Sequence, residues 1–388
     1  MLHEFHHGLG AHFGELSGAQ VVNDYGDWRA EHAALREAAG VIDLSFHSRI
    51  CLVGADRARF LHGQVTNDVK KLRTGEGCYA AITTAKGKME SDLNVFALAE
   101  ELLLDFEPGL TEKISQRLEK FIVADDVQIV DAVPHYGLLS VQGPKAEAVV
   151  RALELFVEIP ALPLGSVKIS NATLGDIYLV NSARLFITGS SGRESAHPLS
   201  QESQSRLTSA ATLVLISSGF DLFVPNNSLG AVADKLIAAA KQIGGRACGW
   251  QAFETARIEA GIPRFGADMD ETNIPLECGI EARAITYNKG CYIGQEVINR
   301  IHSVGHVNRE IRGLQLADDL KTLPQRGDKL FHAGKEIGYV TSAVKSPVLN
   351  ANIALGYVRR EVNQTGSELT LRTAAGEGLA KIVALPFV

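Results

Sequence analysis

From Ile311 to the C-terminus the chain is a series of short β-like runs. They cover residues 311–316, 329–332, 337–344, 353–358, 369–372 and 380–385, and Gly or Pro lies in or near several of the links. Runs this short present unpaired edges, and closure into a barrel removes them. The pattern predicts a closed β domain of about six strands over residues 306–388.

Residues 25–305 have a different texture. Asp27, an N-cap type, opens a helix expected to run to Ala39, with Gly40 as its stop. Residues 79–84, 92–98 and 102–106 read as strands whose tight links call for antiparallel pairing. Further strands are expected over 176–180, 184–188, 212–216 and 220–224, and further helices after Thr111, Pro144 and Ser228. The polar stretch 189–209 reads as an exposed insertion. Strands and helices in irregular order predict an α+β fold rather than a regular βαβ array. Residues 1–24 read as a flexible tail. Within it, His3-Glu4-Phe5-His6-His7 matches a zinc pattern only formally, because no amphipathic helix surrounds it.

At 388 residues the chain exceeds a typical single core. A net charge of −7 argues against a general electrostatic grip on nucleic acid. No apolar run is long enough to cross a bilayer, and the first twenty residues have no apolar signal core, so a cytoplasmic protein is expected. The five cysteines, Cys51, Cys78, Cys248, Cys278 and Cys291, include no Cys-x-x-Cys pair. That argues against a disulfide framework and against a metal or cluster motif within this chain. Phosphate-loop, dinucleotide-binding and nucleophile-elbow motifs are absent.

One octapeptide concentrates reactive groups: Lys289-Gly290-Cys291-Tyr292-Ile293-Gly294-Gln295-Glu296. A cation two residues from a thiol favours the thiolate. Gly294 is placed to start a helix with Glu296 in its first turn. The other reading of the same residues is a Gly-rich turn around a small buried cysteine.

Several segments carry a resemblance. They include Arg36-Glu37-Ala38-Ala39-Gly40-Val41-Ile42-Asp43-Leu44-Ser45, Phe60-Leu61-His62-Gly63-Gln64-Val65-Thr66-Asn67-Asp68-Val69 and Gly87-Lys88-Met89-Glu90-Ser91-Asp92-Leu93. Gly219-Phe220-Asp221-Leu222-Phe223-Val224-Pro225 and Ala256-Arg257-Ile258-Glu259-Ala260-Gly261 follow. In this order they resemble the folate-binding family that includes the aminomethyltransferase of the glycine cleavage system. The octapeptide resembles the motif of one branch, the YgfZ-type proteins, whose mitochondrial relatives serve iron–sulfur cluster assembly. The resemblance implies a three-domain ring around a tetrahydrofolate site, closed by a C-terminal β-barrel.

A bound folate needs a flat slot, a carboxylate facing its ring donors, cations for its glutamate tail, and an acid or base near its nitrogens. The resemblance places Asp92 at the acid position of a Gly-Gly-x-x-Asp-Asp-Leu motif, with Ser91 where that motif has its other acid. It places Asp221 where the transferases usually carry Glu. Gln64, Thr66, Asn67, Arg257, Glu259 and Tyr292 are further expected cofactor contacts. The expected chemical residues are Cys291, assisted by Lys289, and Asp92, with the Cys291 sulfur opening onto the folate cradle. Two functions follow as expectations. The first is tetrahydrofolate-dependent support of iron–sulfur enzymes through Cys291, with iron–sulfur proteins or assembly factors as partners. The alternative is one-carbon transfer or demethylation through Asp92.

Overall fold

The computed structural model describes residues 2–185 and 218–388. The insertion expected at 189–209 and the strand expected at 212–216 lie outside these residues. Of the strand expected at 184–188, Arg184 and Leu185 are described, and they form a turn.

The N-terminal residues are not a loose tail. They form α1 (His3–Gly8) and a hairpin of β1 (His12–Leu16) and β2 (Ala19–Asp24). Leu2, Phe5 and Leu9 pack on the main apolar core, and His6 is buried. Its Nε2–H donates to Asp43 at 2.8 Å, and its Nδ1 accepts the Tyr25 hydroxyl at 2.9 Å. A buried carboxylate without such a partner is costly, so the histidine pattern has a structural use here rather than a metal-binding one.

α2 (Trp28–Glu37) starts as expected, with the Asp27 side chain accepting the Ala30 N–H at 3.1 Å. It ends before Gly40, which instead opens β3 (Gly40–Asp43). β4 (Ser48–Val53) and α3 (Arg57–Gln64) follow, then β5 (Gly77–Thr83), β6 (Met89–Ala97) and β7 (Glu101–Phe106). α4 (Thr111–Glu119), β8 (Gln128–Asp131), β9 (Tyr136–Gly143) and α5 (Ala146–Arg151) come next. β10 (Ser166–Asn171), β11 (Gly175–Asn181), β12 (Ser218–Pro225), α6 (Leu229–Gln242), β13 (Arg246–Ala247) and α7 (Trp250–Glu259) complete this part.

Among the described residues the strands from β3 to β13 form two sheets, ordered β5-β6-β7-β4-β8 and β10-β11-β12-β9-β3-β13. The β5-β6-β7 meander is antiparallel, as its tight links require. Phe96 of β6 meets Phe223 of β12 edge to face at 5.5 Å, and Leu35, Phe253 and Ala256 join them in one core that spans both sheets.

Two short helices, α8 (Glu281–Ala284) and α9 (Gln295–Val304), lead to β14 (Arg309–Leu316), β15 (Lys329–His332), β16 (Lys335–Ser346), β17 (Ala351–Arg359), β18 (Glu368–Thr373) and β19 (Gly376–Val383). These six close into a barrel, β14-β17-β16-β15-β18-β19. The fold is α+β with a C-terminal barrel. A separate apolar cluster joins Ala81 and Met89 of the first sheet, Tyr292 and Ile298 near the octapeptide, and Ile353, Leu355 and Tyr357 of the barrel.

Replacing His6 by Ala leaves Asp43 buried without its imidazole. The expected loss is about 3 kcal/mol of unfolding free energy in urea. A loss under about 0.5 kcal/mol, the scale of an ordinary surface change, would show that the N-terminal segment is not docked.

Candidate functional site

The octapeptide is built around a buried ammonium. Lys289 Nζ donates to the backbone oxygens of His62 (2.6 Å), Val65 (2.6 Å) and Asn67 (2.7 Å), and lies 4.9 Å from the Tyr292 ring centroid. All three of its donors are spent on carbonyls. Lys289 therefore does not serve the thiol, contrary to the sequence expectation; it fastens the octapeptide to the turn after α3. Burial pushes the Lys289 ammonium down to about 8, against the nearby Asp68 and Cys78.

Gly294 has φ 90°, and a Cβ there would stand 2.6 Å from both Thr83 Oγ1 and the Thr84 oxygen. Only glycine fits that turn, and α9 begins directly after it with Glu296 in its first turn. Tyr292 is buried in the apolar cluster, and its hydroxyl has no partner among the described residues. Cys291 is the one exposed cysteine among the described residues. Neither Cys291 nor Tyr292 is among the residues that line the main cavity. The expectation that the Cys291 sulfur opens onto the cradle is thus corrected. The thiol at the cavity wall is Cys78, and burial pushes it up to about 12, so it stays protonated at neutral pH.

That cavity has a volume of about 830 Å³ and lies between the two sheets and α7. Such a volume suits a cofactor-sized ligand. Asp92 on β6 is on its wall, with the Tyr79 hydroxyl donating to Oδ2 at 2.7 Å. Burial, and then the Glu107 carboxylate, push the Asp92 carboxyl up to about 6 despite that hydrogen bond. Arg283 lies over the Tyr79 ring at 4.9 Å. Arg264 lies over the Trp250 ring at 5.2 Å and donates to Glu107 at 2.8 Å.

Deeper in, Arg184 joins two carboxylates, donating to Asp105 at 2.7 Å and to Asp221 at 2.8 Å. Burial alone would raise both. Arg184 and His47 more than offset this at Asp105 and hold it well below the usual carboxylate range, whereas burial keeps Asp221 raised.

The remaining expected contacts divide. Asn67 lines the cavity; its amide donates to the Tyr79 oxygen at 2.9 Å and to the Arg283 oxygen at 3.0 Å. Arg257 reaches the cavity wall, but its guanidinium is held by Asp268 (2.5 Å), Glu254 (2.9 Å) and the Ile262 oxygen (2.7 Å). Gln64 accepts from Arg117, and Thr66 donates to the Ala284 oxygen at 2.5 Å; neither lines the cavity. Asp221 is fully buried against Arg184 and Ser140, behind the lining residues. Glu259 is also fully buried, bonded to His32 at 2.8 Å and to Ser346 of the barrel at 2.5 Å. These four are structural and not cavity contacts.

Sequence reasoning missed Tyr79, Arg264, Arg283 and Trp250. Tyr79 carried a usable signal. β5 and β6 pair with Tyr79 opposite Asn94 and Ala81 opposite Asp92, so period-two alternation puts Tyr79, Asp92 and Asn94 on one face. Trp250 and Arg264 come together only through the turn that follows α7, and they left no local pattern.

A β-sheet pair, a closing barrel and a cavity walled by Asp92, Asp105 and Glu107 define a protein of the aminomethyltransferase architecture. Residues 2–202 and 217–289 match the GCVT N-terminal domain, and residues 309–388 match the glycine cleavage T-protein C-terminal barrel domain. The chain belongs to the glycine cleavage T-protein family. It is 28% identical over 383 residues to an aminomethyltransferase of Halalkalibacterium halodurans, covering 96% of this chain and 95% of that one. It is 29% identical over 382 residues to an aminomethyltransferase of Geobacillus thermodenitrificans, covering 97% and 94%. Its fold matches the crystal structure of glycine cleavage system aminomethyltransferase T from Bartonella henselae with a TM-score of 0.82 and 22% identity, covering 100% of this chain and 97% of that one.

Tetrahydrofolate is the cofactor of this family's aminomethyltransferases. The cavity fits it. Tyr79 and Trp250 offer flat apolar faces, Asp92 offers an acceptor held by a neutral partner, and Arg283 offers a cation.

Two variants test this construction. Lys289→Met leaves three buried carbonyls without their donor, with an expected cost of about 3 kcal/mol in urea unfolding. A variant as stable as the parent would remove the fastening role. Asp92→Asn removes a carboxyl whose folded pKa lies above its unfolded one. Below about pH 4 both states of the parent are protonated and its burial costs nothing extra. As pH rises through about 6 the parent loses stability, because the folded state resists ionising. The variant is therefore expected to gain on the parent between pH 4 and pH 8 by about 2 kcal/mol. Thermal unfolding across that range checks this, and a flat difference would contradict it.

Proposed function

We propose that this protein binds tetrahydrofolate in the cavity between the sheets and transfers a one-carbon unit there, from a donor of the aminomethyl class. The observation that carries the reading is Asp92, a cavity-wall carboxyl pushed up to about 6 and oriented by the Tyr79 hydroxyl. The cofactor, when bound, supplies nitrogen atoms that carry the one-carbon unit. Tyr79 and Trp250 hold the flat ring system, and Arg283 meets the carboxylates of the tail. Near neutral pH Asp92 exchanges a proton readily, as an acid or base beside those nitrogens must.

Ser91, in place of a second acid, does not weaken this reading. It is buried and pairs across the sheet with Ile82, so strand alternation turns it to the face opposite Asp92. The names of the full-length relatives point the same way.

A second reading rests on Cys291. Its exposure outside the cavity suits contact with another protein, and support of iron–sulfur enzymes is the reading its motif suggests. Clusters usually take several thiolates, so a partner would supply the others.

Calorimetric titration with tetrahydrofolate, paired with turnover of an aminomethyl donor, separates the two. Asp92→Asn is expected to weaken binding about tenfold, one hydrogen-bonded ion's worth, and to remove turnover. Cys291→Ser is expected to change neither. Undiminished turnover in the Asp92 variant would falsify the first reading. Loss of iron–sulfur enzyme activity in cells carrying only Cys291→Ser supports the second reading, and full activity there removes it.

A further inference from the structure

A second cleft lies on the barrel, where the chain leaves α9 and enters β14. Its volume is about 620 Å³, and its described lining is His306, Asn308, Arg309, Arg359, Arg360 and Glu361. None of these residues lines the larger cavity. We propose that this cleft binds a multivalent oxyanion, a ligand carrying two or more carboxylate or phosphate groups.

The strand register supplies the first argument. β14 and β17 pair with Arg309 directly opposite Arg359, and Arg360 follows in the next position. Like charges facing each other across a strand pair are destabilising. Glu277, outside the cleft, answers Arg309 at 3.3 Å, but the cleft itself supplies Arg359 with no ion pair among the described residues. The cleft's one acid, Glu361, is committed to Lys335 at 3.4 Å. Among the described residues Arg359 and Arg360 are exposed and form no ion pair. The whole chain carries a net charge of −7, so this positive cluster stands against the protein's own field.

The second argument is that the cleft is held in shape. The Arg309 guanidinium lies over the Tyr357 ring at 5.0 Å. It donates to the Tyr339 hydroxyl at 3.2 Å, the Thr272 oxygen at 3.2 Å and Glu277 at 3.3 Å. The Arg360 N–H donates to the Asn308 oxygen at 3.0 Å, which ties the two sides of the cleft together. Guanidinium groups present paired donors that match oxyanions. Arg309 is spent on Glu277, Thr272 and Tyr339, so Arg359 and Arg360 are the two guanidinium groups left to meet a ligand, and two of them call for more than one anionic group on it.

Thermal unfolding and calorimetry of the full chain test the site with citrate and with tripolyphosphate, against sodium chloride at equal ionic strength. A saturable rise in Tm with at least one probe is expected, and the responding probe tells carboxylate from phosphate. Arg359→Gln/Arg360→Gln is expected to lose at least tenfold in affinity. Glu361→Gln, which removes the one acid, is expected to bind several-fold more tightly. At low salt without added anion, Arg359→Gln is expected to unfold at a higher temperature than the parent. The proposal is overturned if neither probe exceeds sodium chloride, if the double arginine variant, shown folded by circular dichroism, keeps parental affinity, or if Arg359→Gln is the less stable protein at low salt.

Discussion

The Lys289 ammonium fixes the geometry on which the cavity depends. It draws the carbonyls of His62 in α3 and of Val65 and Asn67 in the turn after it onto the octapeptide. The Asn67 side chain then holds the backbone of Tyr79 and of Arg283. Tyr79 in turn holds Asp92. A charge buried among carbonyl dipoles is stable only if every partner stays in place, so this chain of contacts is stiff. The octapeptide that the sequence brings forward as a reactive motif thus also acts as the fastening of the cavity wall, from a position outside the cavity.

Much of the architecture was legible because it rests on short-range signals. Alternation, turn residues and edge closure gave all six barrel strands, and the Asp27 cap gave the start of α2. What escaped depends on long-range pairing. The N-terminal segment looks loose by composition, yet one buried imidazole and three apolar side chains hold it to β3 and the core. Asp92 was legible from its motif, while its partner Tyr79 required the strand register.

Arg257 and Glu259 show why spacing misleads when the element is wrong. Two residues apart on a strand share a face, but α7 is a helix, where the same interval is a turn of about 200°. The two side chains accordingly leave in different directions. Arg257 meets Asp268 and Ser342, and Glu259 meets His32 and Ser346. Each ties α7 to the barrel, and Glu259 also ties it to α2. Their burial follows from this: one helix is gripped on both flanks by charged fasteners, and that grip keeps Trp250 and Phe253, on the same helix, on the cavity wall.

The distribution of charge within the cavity explains why one acid stands out. Asp105 and Asp221 share Arg184, with His47 adding to Asp105, and Glu107 is taken by Arg264. Each of these carboxylates has a cationic or histidine partner. Asp92 forms no ion pair among the described residues; it has the Tyr79 hydroxyl, the repulsion of Glu107 and a smaller pull from Arg283. Asp221, where the resemblance puts an acid contact, is closed off behind Arg184, and Asp92 is left as the cavity-wall carboxyl without an ion pair among the described residues.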